Sequence, residues 1–260
     1  MRAEKDRRGI LILGGCALFI AAGGAAAFTV ARSRPRDKKT SCLRDEKPAL
    51  QTYVIVDRTD PWSATQTALL KAAMTNIANS VNTEERLTLI AFDGSAERPP
   101  VAIFDQCKTP DGSSANPAFQ NPFRVEKDHQ ETFVKPFEET LTAITTPSRA
   151  KETHLVAFIA NLAAQIQYEA RAGKTRIVIF SDMAENTPAL SVYAKGKSQF
   201  SSEIFARYFA SHMHDRLSGI SFEFFRLPPP GRSPDLEARI KNAWSAALSN
   251  NAIDFSMKDL

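Results

Sequence analysis

Residues 53–66 read YVIVDRTDPWSATQ. Three β-branched residues behind a tyrosine run into a carboxylate, Asp57. A hydroxyl, Thr59, and a second carboxylate, Asp60, follow, and then Pro61 and Trp62. A run this short and apolar reads as a strand buried on both faces. The continuation WSATQTALLKAAMTNIANSV places Ala64, Leu69, Ala72, Ala73 and Ile77 close to helical spacing. A strand, a polar tip and a helix form the opening of an α/β unit. The tip raises the functional question, because a buried strand delivers an acid, a hydroxyl and another acid to one place. Asp60 has two readings: an oxygen ligand, or the N-cap of the following helix ahead of Pro61.

The alternation continues outward. RLTLIAFD (86–93) and VAIFDQC (101–107) read as strands, and the short GSAERPP between them allows an antiparallel connection. KTPDGSSANPAFQNPF (108–123) has the composition of an irregular loop. VEKDHQETFVKPFEETLTAI (125–144) has helical character that Pro136 should kink or split. KETHLVAFIANLAAQIQYEA (151–170) is a strongly apolar helix, and TRIVIFSD (175–182) the clearest buried strand. SSEIFARYFASHMHDRL (201–217) reads as a helix and GISFEFFRL (219–227) as the last strand. SPDLEARIKNAWSAAL (233–248) is a closing helix capped by Ser233. This order predicts the α/β class: an open sheet with helices on both faces. No period of the solenoid kind is visible.

The formal net charge of +4 is unevenly distributed. Residues 1–39 hold nine Lys/Arg and three Asp/Glu, leaving 24 basic against 26 acidic residues for positions 40–260. The folded part is therefore near neutral, which argues against a nucleic-acid-binding surface. After the basic residues 1–8, the uncharged stretch GILILGGCALFIAAGGAAAFTVA (9–31) is long enough to cross a hydrocarbon core. Five Lys/Arg follow it directly. It reads as an uncleaved single-pass membrane anchor, with a cleaved signal peptide as the competing reading. LGGC, ending at Cys16, has the look of a lipoprotein box, but the apolar run continues past it. Basic residues on both sides leave the positive-inside rule weak. Residues 32–48 read as a linker and residues 49–260 as the folded domain.

In open α/β sheets function collects beyond the carboxyl ends of the strands, at the switch point. Two strands end there in Asp: Asp57 after YVIV and Asp182 after RIVIFS. With the order of elements, this resembles the von Willebrand factor A (vWA) domain family over about residues 50–250. That family carries Asp-x-Ser-x-Ser after its first strand, a Thr before a later helix and an Asp after its fourth strand. Together they hold one divalent cation. Carried over residue by residue, Asp57 matches the first Asp, Thr59 the first hydroxyl, Thr153 the Thr, and Asp182, in SDMAEN, the later Asp. The family often reads TDG at that last position. Pro61 stands where the second Ser belongs, so a water or Asp60 would have to supply that oxygen.

The resemblance implies a mostly parallel sheet with one antiparallel edge strand. It also implies Mg²⁺ or Mn²⁺ at Asp57, Thr59, Thr153 and Asp182, with an open coordination position for a carboxylate of a protein partner. Such oxygens suit a hard cation; a degenerate site that only keeps the fold is the other possibility. The function implied is a membrane-anchored protein-binding module in a larger envelope assembly, possessing a partly degenerate metal site. The family's sheet also brings the end of the third strand to the pole where the first begins. It thus implies that Cys42 and Cys107 meet there, as a disulfide in an oxidising compartment or as two unrelated thiols. Bridged, they place the domain in a periplasm-like space outside a bacterial-type inner membrane.

An enzyme reading competes. DRTDP is also similar to the nucleophile loop of haloacid-dehalogenase-type phosphotransferases, and SDMAEN to their metal-binding acidic loop, which would make Asp57 a phosphorylated nucleophile. Against it, Thr59 replaces the acid typical of phosphatases there, and the helix begins too soon for a flap. Lys174 precedes its strand, and nothing in the sequence supports it as the phosphate-binding lysine. AGKT (172–175) is no P-loop, because Tyr168 stands where the leading Gly is needed. HMH (212–214) spaces its imidazoles onto different helical faces. His129 and His154 read as ordinary helix residues.

Overall fold

The first strand, β1 (Leu50–Asp57), is buried along nearly its whole length, as expected of a strand covered on both faces. Its side chains alternate between two cores: Tyr53 and Ile55 enter one, Val54 and Val56 the other. The computed structural model describes residues 34–260 apart from residues 98, 149, 170, 195–199, 214–216 and 218. The predicted basic terminus and anchor, residues 1–31, lie outside the described residues. No helix among the described residues is long and apolar enough to cross a membrane.

The elements after β1 are α1 (Ala64–Ser80), β2 (Arg86–Phe92), β3 (Ala102–Cys107), α2 (Pro122–His129), α3 (Lys135–Ile144) and α4 (Leu155–Glu169). They continue with β4 (Lys174–Ser181), α5 (Ser202–Met213), β5 (Ile220–Arg226), α6 (Pro234–Asn250) and β6 (Phe255–Asp259). The sheet order is β3-β2-β1-β4-β5-β6. Every pairing is parallel except β2 with β3, where the short connection returns the chain antiparallel at the edge. Helices α1 and α3 supply Leu70, Met74, Phe137, Leu141 and Ile144 to one face. Helices α4, α5 and α6 supply Phe158, Phe205 and Trp244 to the other. This is the expected mostly parallel sheet, helices on both faces, with one antiparallel edge strand.

Pro136 acts as its chemistry dictates. It has no N–H to donate, and a π-helical turn, Gln130–Val134, stands directly before it, with Lys135 N–H bonding Gln130 O between α2 and α3. Ser233 caps α6, accepting from Leu236 N–H. Strand β6 is an addition to the sequence reading, which ended the sheet at β5.

At the amino-terminal pole of the parallel strands, Cys42 and Cys107 form a disulfide with Cα atoms 4.8 Å apart. Part of the stretch read as linker packs here. Arg36 pairs with Leu43 in a short antiparallel bridge, and Cys107 N–H donates to Thr40 O at 2.7 Å. Arg36 also forks onto Glu84, between α1 and β2.

Candidate functional site

Strands β1 and β4 are neighbours although the chain has visited β2 and β3 between them, so their carboxyl ends form the switch point. Asp57 ends β1 there, 3 % exposed. Its Oδ1 accepts from Thr59 N–H at 3.0 Å and from the Thr59 hydroxyl at 2.7 Å. Its Oδ2 accepts from the Ser181 hydroxyl at 2.7 Å. Burial, and then the charge of Asp182, push the Asp57 carboxyl up to about 7, against the pull of these bonds.

Asp182 follows β4. Its Oδ1 accepts from Ala184 N–H at 3.0 Å, and its Oδ2 is held by the guanidinium of Arg232. Arg232 comes from PPPGRSP (228–234), between β5 and α6. It also donates to the Tyr193 hydroxyl at 2.7 Å and lies 3.2 Å from Glu237 Oε1. Both partners of the Asp182–Arg232 pair are buried. A wholly buried Glu185 stands behind, accepting from Val156 N–H at the start of α4 and from the Tyr208 hydroxyl.

Three of the four predicted site residues, Asp57, Thr59 and Asp182, are thus gathered at one pole, where Asp57 senses the charge of Asp182. Thr153 is held nearby through Gly94. A Cβ at Gly94 would stand 2.4 Å from Glu152 O and 3.3 Å from Thr59 Cγ2. The Thr153 backbone bridges Asn186, at 2.8 Å and 3.0 Å. Its hydroxyl makes no hydrogen bond to either Asp among the described residues. Asp60 is exposed and is not the cap of α1. Ser63 is, in a reciprocal capping box with Gln66.

The fit to a divalent cation is poor. Mg²⁺ and Mn²⁺ want near-octahedral oxygens, and Mg²⁺ keeps several waters. Here Asp182 is already neutralised by Arg232, both Asp57 oxygens are engaged, and Pro61 supplies no side-chain oxygen. The cavity bordered by Asp57, Thr59, Trp62 and Asp182 holds about 10 Å³, the lower limit for a single water. Sequence reasoning missed Arg232, Ser181, Tyr193 and Glu185. Ser181 and Glu185 flank Asp182 in SDMAEN and its strand, so a wider reading of that tip would have found them.

Lys174 does not serve the phosphotransferase alternative in the structure either. Lys174 opens β4 in register with Leu50, at the pole opposite Asp57. His212 bonds the Tyr208 carbonyl, as a helix-surface residue does, and His214 lies outside the described residues.

No known family model matches this sequence, and no curated protein matches it. Among solved structures, the chain is similar to the conserved hypothetical protein BatB from Bacteroides thetaiotaomicron. The identity is 11 %, with 81 % of this chain and 90 % of that one covered, at a TM-score of 0.41. It is similar to an aerotolerance-related membrane protein from Bacteroides fragilis NCTC 9343 at 12 % identity, covering 81 % and 92 %, with a TM-score of 0.40. The pilus adhesin SpaC from Lactobacillus rhamnosus GG matches at 10 % identity, covering 86 % and 29 %, with a TM-score of 0.43.

Proposed function

We propose that the chain is a vWA-like protein-binding module of a bacterial-type envelope assembly, anchored through residues 9–31, with its folded domain in the periplasm. The observation that carries this is the separation of two poles. The segment leading from the anchor is fastened by Cys42–Cys107 at one end of the strands, and the Asp57 and Asp182 loops stand at the other. The candidate site therefore faces away from the membrane, towards partners. One feature of that pole suits an acceptor-bearing partner: Tyr193 is 48 % exposed beside Arg232.

A photo-reactive side chain at Asp60, with Ser256 on the β6 edge as control, tests this in intact cells. A discrete protein adduct from position 60 and none from 256 is expected. Adducts from 256 alone would refute it. Hydrolysis of a generic phosphate ester that is lost on Asp57→Asn would revive the enzyme reading.

A further inference from the structure

We infer that Arg232 occupies the cation's place at this pole: its guanidinium is the permanent counter-charge of Asp182, and it masks a latent divalent-cation site formed with Asp57 and Thr59. Four observations meet here. The Arg232 and Asp182 side chains are both nearly closed to solvent, at 5 % and 7 % exposed. The guanidinium is fixed on three further sides, by the Tyr193 hydroxyl, the Asp182 carbonyl and Glu237. The loop that carries it is shaped for the reach: Gly231 adopts φ +87°, a left-handed turn directly before Arg232. Both Asp57 oxygens already accept hydrogen bonds, from Thr59 and from Ser181, and Asp182 Oδ1 accepts from Ala184 N–H.

Electrostatics then excludes a second cation. A divalent ion near Asp182 would sit within a few ångströms of a buried positive charge, where screening is weak. To enter, it must displace Arg232 from Asp182 and leave the guanidinium to Glu237, which is unfavourable. Removing the guanidinium reverses the balance. Asp57 and Asp182 then face one another with no counter-charge, and a cation relieves their repulsion. Any partner docking at this pole is consequently recognised without a bridging metal ion. The lock itself does not rest on the partner-binding reading, because metal titration needs no partner.

The test uses the full chain in detergent. Bound Mn²⁺ is counted from the loss of the free-ion paramagnetic resonance signal, and thermal melting is followed with EDTA or millimolar Mn²⁺. Wild type is expected to bind no Mn²⁺ and to melt at the same temperature in both. Arg232→Ala and the bulkier Arg232→Gln are expected to melt lower in EDTA. Each should bind about one Mn²⁺ and recover several degrees with it. Adding Asp57→Asn to Arg232→Gln should abolish that binding. One Mn²⁺ bound by wild type at millimolar concentration overturns the inference, and so does a folded Arg232→Gln that gains none.

Discussion

Glu185→Gln should stabilise this protein at mildly alkaline pH and flatten the dependence of its stability on pH. Glu185 has no solvent exposure. Burial pushes its carboxyl from 4.5 up to about 7. The bonds from Val156 N–H, at 3.1 Å, and from the Tyr208 hydroxyl, at 2.9 Å, pull the other way without prevailing. Asp57, across the site, adds to the rise. A carboxyl raised in the folded state holds its proton more tightly there than in the unfolded chain. Its contribution is therefore complete below the unfolded value, declines as pH rises, and is spent above the folded value. The difference corresponds to about 3 kcal/mol at about 1.4 kcal/mol per unit, of which about 2 kcal/mol falls between pH of about 5.5 and 8.

Glutamine copies the protonated acid. Its amide oxygen can accept from Val156 N–H, and its NH₂ can donate to Tyr208, whose hydrogen turns to Thr187. The assay is urea denaturation of wild type and variant at both pH values. Wild type should lose stability between them, and Glu185→Gln should remove about 2 kcal/mol of that loss. Part of the remaining slope belongs to Asp57, raised from 3.8 to about 7, and part to Asp60, also raised by burial; it should flatten further in the double variant with Asp57→Asn. A variant less stable than wild type at the higher pH, with an unchanged slope, would refute the reasoning. It would mean that Glu185 is ionised and works as counter-charge to the amino terminus of α4.

Gly94→Ala should destabilise by roughly 3 kcal/mol in chemical denaturation. The new methyl would meet Glu152 O at 2.4 Å, on a backbone with φ +99°. Ser63→Ala removes half of the α1 capping box and should lower stability by about 1 kcal/mol, with Asp60→Ala near neutral by the same measurement. Reducing Cys42–Cys107 opens a loop of 65 residues, worth about 4 kcal/mol by the chain-entropy argument. The melting temperature should fall on reduction, and a Cys42→Ser, Cys107→Ser double variant should be insensitive to reductant.

The part of this fold that follows from local chemistry was legible in the sequence. Strand β1 runs through YVIV to Asp57 as read, because alternate residues serve two cores over the unbroken apolar run 53–56. The proline break in 125–144 and the Ser233 cap are likewise rules about single residues. What escaped depends on distant neighbours. Strand β6, FSMKD, has no apolar run of its own and is a strand only because β5 offers a parallel edge. Asp60 was read as a ligand or as the cap of α1, although Ser63 and Gln66 in DPWSATQ already stand at the capping-box spacing they use. The Asp182–Arg232 pair joins residues 50 apart through a proline-rich loop. Periodicity has no means of recording such a contact. Reading the candidate ligands from the acids and hydroxyls alone therefore left out the guanidinium that pairs with Asp182.

The turn after Asp182 shows how firmly that tip is held. Met183 adopts φ +59°, the left-handed conformation that a glycine takes without strain, at the position where the resemblance expects Gly. A side chain there costs about 1–2 kcal/mol. Full burial of Met183 and two hydrogen bonds offset this: its N–H donates to the Ser181 hydroxyl at 2.8 Å, and its carbonyl accepts from the Trp244 indole at 2.9 Å. Trp244 is itself wedged among Phe205, Phe209 and Phe224. It belongs to α6, and Arg232 lies two residues ahead of that helix. One helix thus clamps the β4 tip twice, by Trp244 on the Met183 backbone and by Arg232 on the Asp182 carboxylate. Clamps of this kind fix the geometry of the switch point through contacts made within the chain, the indole on the Met183 carbonyl and the guanidinium on the Asp182 carboxylate. A left-handed tip held by two contacts, from one helix and the loop just ahead of it, is rigid by construction.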